Sequence, residues 1–502
     1  LELIRGGGGG GQEPRIHIEH DHFELLGGEL VQARWRTLSN GDRVRSYTRI
    51  INTEITLAAR EFAELDEDIE ADNIDLDQLG DRDGRERATT IRNLPTVSHV
   101  VVTVPDGQGG TAKIRVPFDD YETGSFLSHL PVRGLNYSRS RSGRDKVITA
   151  ITYVSDDVEH LTSYRATGWR RRADNTWMYI MSGGAIDAHG YQPVPTNLTG
   201  VMARFDLPNP TCDPARLRQA FASAAAPMMD RFPDRIGAVL IGQAFRASLC
   251  ANPWVTVLSG SPATGKTGLS AIAQHFYGEM WDRTRPAASM SGNGATANAL
   301  RIYAHQAKDA VLFLDDNAPT DGVEQAWKRL ESTSRLLANQ EGRGRAERTG
   351  QGVLPDTRPR TSGLITTELP ARAGSSGGRR DLLVPLTKRD VQIEDIIALD
   401  DMALRHRRAL LMASFLQWVA QDYQGNLLRL AYLRDTYAAE LRTRADITPR
   451  VRERHTDKVA ELWAGWGLLL EFLAERDALT AAEHTQWSQR ISEALVLAAE
   501  AA

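Results

Sequence analysis

A chain of 502 residues exceeds one ordinary hydrophobic core, so two or three domains are expected. Its 60 basic and 65 acidic side chains leave a formal charge of −5, so any contact with nucleic acid has to come from a local basic surface rather than an overall positive field. Cys212 and Cys250 stand far apart without a CxxC partner, which argues against a zinc ribbon or a disulfide scaffold and fits a reducing cytoplasm.

Residues 1–14 contain a glycine run and read as a flexible linker. From Arg15 to Asp206, short β-branched and aromatic runs alternate with Gly, Asn and Asp clusters. "TVSHVVVTV", "TAKIRVPF", "KVITAITYV" and "NTWMYIMSGGAI" are predicted strands, which makes residues 15–206 a β-rich domain. One acidic interruption, Glu61 to Glu86, reads as a solvated helix and loop.

Helical spacing begins at Pro214, and at about Ala251 it gives way to the apolar run "WVTVLSG". Residues 207–390 then alternate strands and helices, with "AVLFLDD", "GLITTE" and "DLLVPL" as buried strands of a mostly parallel sheet. Beyond Val391, "ALLMASFLQWVAQ" and "VAELWAGWGLLLEFLAE" repeat apolar residues every three or four positions, so 391–502 is a helical bundle. The apolar run Gly467 to Leu473 is interrupted by Glu471 and is too short to span a bilayer, so no membrane helix is expected.

Chemistry concentrates in the α/β segment. "GSPATGKT" (Gly260, Ser261, Pro262, Ala263, Thr264, Gly265, Lys266 and Thr267) fits GxxxxGK[ST] between a strand and a helix. Backbone N–H groups of such a loop turn inward around phosphates, Lys266 can reach the β- and γ-phosphates of ATP, and the Thr267 hydroxyl can ligate Mg²⁺. A metal-positioning carboxylate should end a second buried strand. "AVLFLDDN" supplies Asp315 for Mg²⁺, with Asp316 as the group that polarises the attacking water.

A third strand ends in Thr366, Thr367 and Glu368, where a polar side chain could sense the γ-phosphate or orient water; threonines there also suit a strand by propensity alone. Arg379 and Arg380 precede the next strand. In a ring either could face a neighbour's nucleotide and stabilise charge developing on its γ-phosphoryl group, or both could be solvated surface groups. The glycine-rich segment between the acidic and threonine strands carries Arg343, Arg345, Arg348, Arg358 and Arg360 and suggests a hairpin or mobile loop. Its arginines could grip a phosphate backbone, or form an ordinary charged loop.

This order of motifs resembles the superfamily 3 helicases, which are AAA+ enzymes. More closely, "GSPATGKT", "WDRT", "FLDDN", "LANQEGRGRA" and "ITTELP", with "YRATGWRRRADNTWMYIMSGGAI" upstream, look like an uncharacterised domain family of phage, plasmid and mobile-element replication ATPases. The resemblance covers about Tyr164 to Leu386. It implies an α/β AAA+ P-loop core between a β-rich N-terminal domain and a helical C-terminal bundle.

The same resemblance implies Lys266 and Thr267 as Walker A residues, Asp315 and Asp316 as the Walker B pair, Thr366 as sensor and Arg380 as arginine finger. Superfamily 3 usually carries Asn at the sensor, a departure at Thr366. The implied activity is an ATP-driven, ring-forming helicase or translocase. Its implied partners are single-stranded or forked DNA, further copies in a hexamer, and a primase or other replication protein. A regulatory or scaffold ATPase, whose nucleotide only switches assembly, is the alternative; a translocase would need the Arg343 to Arg360 segment with DNA bound, and a switch would not.

Three other patterns carry less. His17, His20 and His22 could bind metal but sit in a strand-like alternation. A calcium-loop spacing from Asp75 has Leu79 in place of an oxygen ligand and Arg82 at the usual apolar position. "NIDLDQL" offers paired aspartates in a setting too polar for a buried catalytic strand, so primase activity within this chain is not expected.

Overall fold

A computed structural model describes residues 2–4, 17–18, 22–37, 41–64, 96–106, 108, 110–132, 134–286, 288–290, 294–340, 345–346, 353–354, 358–369 and 380–502. The chain divides into two compact units, one of Leu1–Glu64 with Thr89–Ser163 and one containing Tyr164–Ala502.

In the first unit, β1 (Glu2–Ile4), β2 (His17–Ile18), β3 (His22–Leu26), β4 (Glu29–Thr37) and β5 (Arg43–Ile51) form one sheet in the order β1-β5-β4-β2, with β3 also on β4. A second sheet joins β6 (Thr56–Ala63), β7 (Val97–Pro105), β8 (Thr111–Pro117) and β9 (Glu159–Ser163) in the order β8-β7-β6-β9. "TVSHVVVTV" and "TAKIRVPF" are therefore strands. "KVITAITYV" is not: it forms most of helix α1 (Arg141–Val154). Ser140 caps that helix by accepting a hydrogen bond from the Gly143 N–H, and Val147, Ala150 and Ile151 fall on one buried stripe. Packing of that stripe into a core with Ile51, Leu57, Val100 and Val102 overrides the β propensity of its branched residues.

The second unit opens with an antiparallel meander, β10 (Gly168–Arg171), β11 (Trp177–Met181), β12 (Gly184–Asp187) and β13 (Gly190–Gln192). These strands were expected inside a domain ending at Asp206. Instead, Trp169, Tyr179 and Ile186 share one hydrophobic core with the α/β segment and with the C-terminal helices, so the compact units divide between Ser163 and Tyr164. Polar contacts hold the meander there. The Trp169 indole donates to the Ser248 carbonyl at 2.8 Å, the Tyr179 hydroxyl donates to the Asp309 carbonyl at 2.8 Å, and the Asp309 carboxylate accepts from the Trp169 N–H at 3.0 Å.

After helix α2 (Asp234–Ala247) come β14 (Val255–Ser259), α3 (Lys266–Gln274), β15 (Ala288–Ser289), α4 (Ala297–Gln306), β16 (Val311–Asn317), α5 (Val323–Ala338), the two-residue strands β17 (Arg345–Ala346) and β18 (Val353–Leu354), β19 (Ser362–Thr367) and β20 (Asp381–Pro385). Five of these strands form an all-parallel sheet in the order β15-β16-β19-β14-β20, and β17 pairs antiparallel with β18. β19 thus lies between the strand leading to the glycine-rich loop and the strand carrying the paired aspartates.

Helices α6 (Ile393–Leu399), α7 (Met402–Gln421), α8 (Tyr423–Thr443), α9 (Thr456–Glu475) and α10 (Ala481–Ala501) complete the unit. α2 and α9 cross closely, since a Cβ on Gly242 would meet the Leu462 carbonyl at 2.9 Å and one on Gly465 would meet the Gly242 carbonyl at 2.7 Å. At that crossing the buried Arg246 guanidinium pairs with Glu461. Cys212 and Cys250 are both free thiols. Among the described residues, no helix is long and apolar enough to cross a membrane.

Candidate active site

The C-terminal ends of β14, β16 and β19 open onto a cavity of about 1110 Å³. β14 ends at Ser259, and residues 260–265 turn the chain directly into α3. The turn needs unusual backbone: Gly265 has φ +81°, and Ala263, which carries a side chain, has φ +62°. Gly265 is also sterically required, because a Cβ there would lie 2.7 Å from a Val391 methyl. The loop ends at a helix N-terminus, whose unpaired N–H groups and positive dipole end suit an anion.

Lys266 lies at this point. Its ammonium donates to the carbonyls of Gly260 at 2.7 Å and Ser261 at 2.9 Å. Burial lowers its pKa, against which the charges of Glu368, Asp315 and Asp316 act, Glu368 the most strongly.

The paired aspartates occupy an irregularity in β16, whose register against β19 shifts between Leu314 and Asn317. Asp316 has φ +60°, the left-handed conformation of an extra residue in a bulge. Adjacent strand residues ordinarily face opposite sides; the bulge lets Asp315 and Asp316 line the same cavity. One hydroxyl fixes the pair: Thr366 Oγ1 donates to Asp315 Oδ1 at 2.5 Å and accepts from the Asp316 N–H at 2.9 Å. From the other side, Thr267 Oγ1 donates to the Asp315 carboxylate at 3.0 and 3.2 Å.

Residues 262–267, Asp315, Asp316 and Thr366 therefore line one cavity, while the carbonyls of Gly260 and Ser261 hold the Lys266 ammonium beside it. Arg380 does not line it. Its carbonyl accepts from the Val255 N–H, at the opposite end of β14 from the glycine-rich loop, roughly 16 Å away at strand rise. The Arg380 guanidinium donates to Asn339 Oδ1 at 2.9 Å, just beyond the end of α5.

Arg343, Arg348 and Arg379 lie outside the described residues, as do His20 and the segment 65–95. Arg345 is placed on a hairpin rung opposite Leu354. His22 accepts or donates a 2.7 Å hydrogen bond with the Tyr153 hydroxyl.

The cavity also gathers residues to which the sequence assigned no role, among them Arg283, Asn317 and Lys388. Glu368, the last residue of the polar run Thr366, Thr367, Glu368, lines it as well. It lies one residue past the end of β19 and lines the cavity with Thr366 and Thr367. Asn317 is fully buried and donates to Thr367 Oγ1 at 3.3 Å and to the Ala326 carbonyl at 3.1 Å, joining the end of β16 to both β19 and α5.

The fold is similar to a solved structure described as "SCCmec type IV Cch - active helicase", with 14% identity, a TM-score of 0.51, and coverage of 94% of this chain and 79% of that one. At this identity the likeness concerns the fold alone. No family model matches the chain, and no curated protein matches it.

Proposed function

We propose that this chain is an ATP-hydrolysing, ring-forming DNA helicase or translocase that serves replication of a mobile element. The observation that carries the reading is the convergence of Thr267 and Thr366 on the Asp315 carboxylate, in the lining of a cavity that also includes a glycine-bearing loop at a helix N-terminus.

In this reading the loop amides bind the phosphates of ATP, and Lys266 exchanges its two carbonyl contacts for β- and γ-phosphate oxygens. A hydroxyl and a carboxylate within hydrogen-bond distance are hard oxygen donors suited to Mg²⁺, so Thr267 and Asp315 would hold that ion. When bound, Mg²⁺ supplies neutralisation of the phosphate charge. Asp316 orients the attacking water, and Arg380, remote from its own cavity, serves the site of a neighbouring subunit in a ring. Arg343, Arg345 and Arg348 grip single-stranded DNA. The likeness to a solved helicase fold supports the same class.

Unwinding of forked DNA tests this reading. Replacing Arg343, Arg345 and Arg348 together by Ala should weaken single-strand binding, flatten its salt dependence and abolish unwinding, while basal ATP hydrolysis persists. A triple variant that still unwinds with an unchanged salt slope contradicts the translocase reading. Hydrolysis by the wild-type chain without any strand binding favours a regulatory ATPase instead.

A further inference from the structure

We infer that Glu368 is a catalytic carboxylate of the hydrolytic site, accepting a hydrogen bond from the attacking water alongside Asp316, and that Thr366 is a positioning residue. The inference rests on the proposed ATP hydrolysis.

Its basis is the hydrogen-bonding capacity of β19. A threonine hydroxyl carries one proton. In Thr366 that proton goes to Asp315 Oδ1, and the oxygen accepts from the Asp316 N–H. In Thr367 the proton goes to the Asn317 carbonyl at 3.0 Å, while the oxygen accepts from Asn317 Nδ2 at 3.3 Å and from the Leu369 N–H at 3.1 Å. Both hydroxyls are thereby committed within the protein. Neither can donate to a γ-phosphate without releasing the acid pair or the end of β16.

Glu368 is the next side chain and is only half-buried. It lines the cavity together with Lys266, Asp315 and Asp316. Its backbone is fixed from both sides against the start of the glycine-rich loop: the Thr367 carbonyl accepts from the Gly260 N–H at 3.2 Å, and the Leu369 carbonyl accepts from the Ser259 hydroxyl at 2.5 Å. Of the carboxylates that act on the Lys266 ammonium, Glu368, Asp315 and Asp316, it also acts most strongly. Among the described residues no hydrogen bond or ion pair engages its carboxylate, which leaves both oxygens able to accept from water. A carboxylate cannot donate to a phosphate, so the role open to it is on the water side of the reaction.

The water oxygen bonds to the γ-phosphorus as the bond from that phosphorus to the bridging oxygen breaks, and the bond's electron pair leaves with ADP. The water proton passes to the Glu368 carboxylate and from there to solvent. Thr366 holds Asp315 and Asp316 in place while this happens, and touches neither water nor phosphate.

The test compares wild type, Glu368→Gln, Thr366→Val and Thr366→Ser in the full chain with single-stranded DNA present. Steady-state hydrolysis, affinity for a fluorescent ATP analogue and the thermal midpoint are measured for each. Glu368→Gln should lower kcat by about 100-fold or more while the analogue's Kd stays within about threefold of wild type. Thr366→Val should also lower kcat, and Thr366→Ser, which keeps the hydroxyl, should restore most of it.

A Glu368→Gln chain with wild-type kcat overturns the inference, whether or not it binds nucleotide more tightly; tighter binding would mark Glu368 as a counter-ion of Lys266 only. Loss of binding together with turnover also overturns it. If Glu368→Gln does not fold, Glu368→Asp decides: reduced kcat at unchanged Kd supports the role, and unchanged kcat overturns it. A wild-type chain that hydrolyses no ATP refutes the underlying function; a wild-type chain that does, matched by Glu368→Gln, refutes this inference alone.

Discussion

His275, at the end of α3, is fully buried, with Nε2 3.1 Å from the Trp281 carbonyl and 3.3 Å from Asp400. Burial lowers its pKa to about 4; Arg408 and Arg405 act in the same direction and Asp400 against it. Because the ordinary value is 6.5, the unfolded chain binds a proton at His275 between pH 6.5 and about 4 and the native chain does not. Stability is therefore present above pH 6.5 and is lost as the pH falls toward 4, by up to about 3 kcal/mol. Asp381, raised by burial from 3.8 to about 6, has the opposite sign across that interval, because there the native chain takes up the proton. Urea unfolding at pH 6.5, 5.5 and 4.5 should thus show wild type losing more stability on acidification than His275→Gln; equal losses contradict the assignment.

Single residues were legible in the sequence where chemistry dictates both type and spacing, as in Gly260 to Thr267 and the Asp315 and Asp316 pair. Glu368 and Asn317 were harder to read. Their places in the cavity depend on the bulge in β16 and on the end of β19, neither of which spacing reveals.

Among the elements, β14, β16, β19 and β20 could be read because each is a continuous apolar run, whereas the two-residue β15 offers no such run. α1 could not, since "KVITAITYV" satisfies strand propensity and helical spacing alike and only its buried stripe decides. α5 connects the end of the aspartate strand to the sheet edge that carries Arg380. Arg329 on α5 donates to the Ala318 carbonyl at 2.9 Å, near the aspartate strand, and the residue after that helix, Asn339, holds Arg380 at the far edge of the sheet. If Arg380 acts on a neighbour's site, Arg380→Ala subunits mixed with Lys266→Ala subunits should regain turnover at interfaces that join an intact loop to an intact arginine. Mixed assemblies confirmed by mass, with no recovered turnover, would remove Arg380 from that role.

At the scale of the whole molecule, the division fell elsewhere than composition suggested. The meander β10 to β13 is as rich in strand residues as the first unit, so composition assigns the two together. Trp169 and Trp177 instead pack against Tyr423 of α8, with ring centroids 4.6 and 4.3 Å apart, and tie the meander to the helical end of the chain. Only tertiary packing separates such neighbours in sequence. The proposed function requires that the cavity at the ends of β14, β16 and β19 binds and hydrolyses ATP. Nucleotide binding and turnover measured side by side for wild type, Lys266→Ala and Asp316→Asn test it most directly. Lys266→Ala should lose binding, and Asp316→Asn should bind ATP without hydrolysing it. Wild-type turnover in both variants would contradict it.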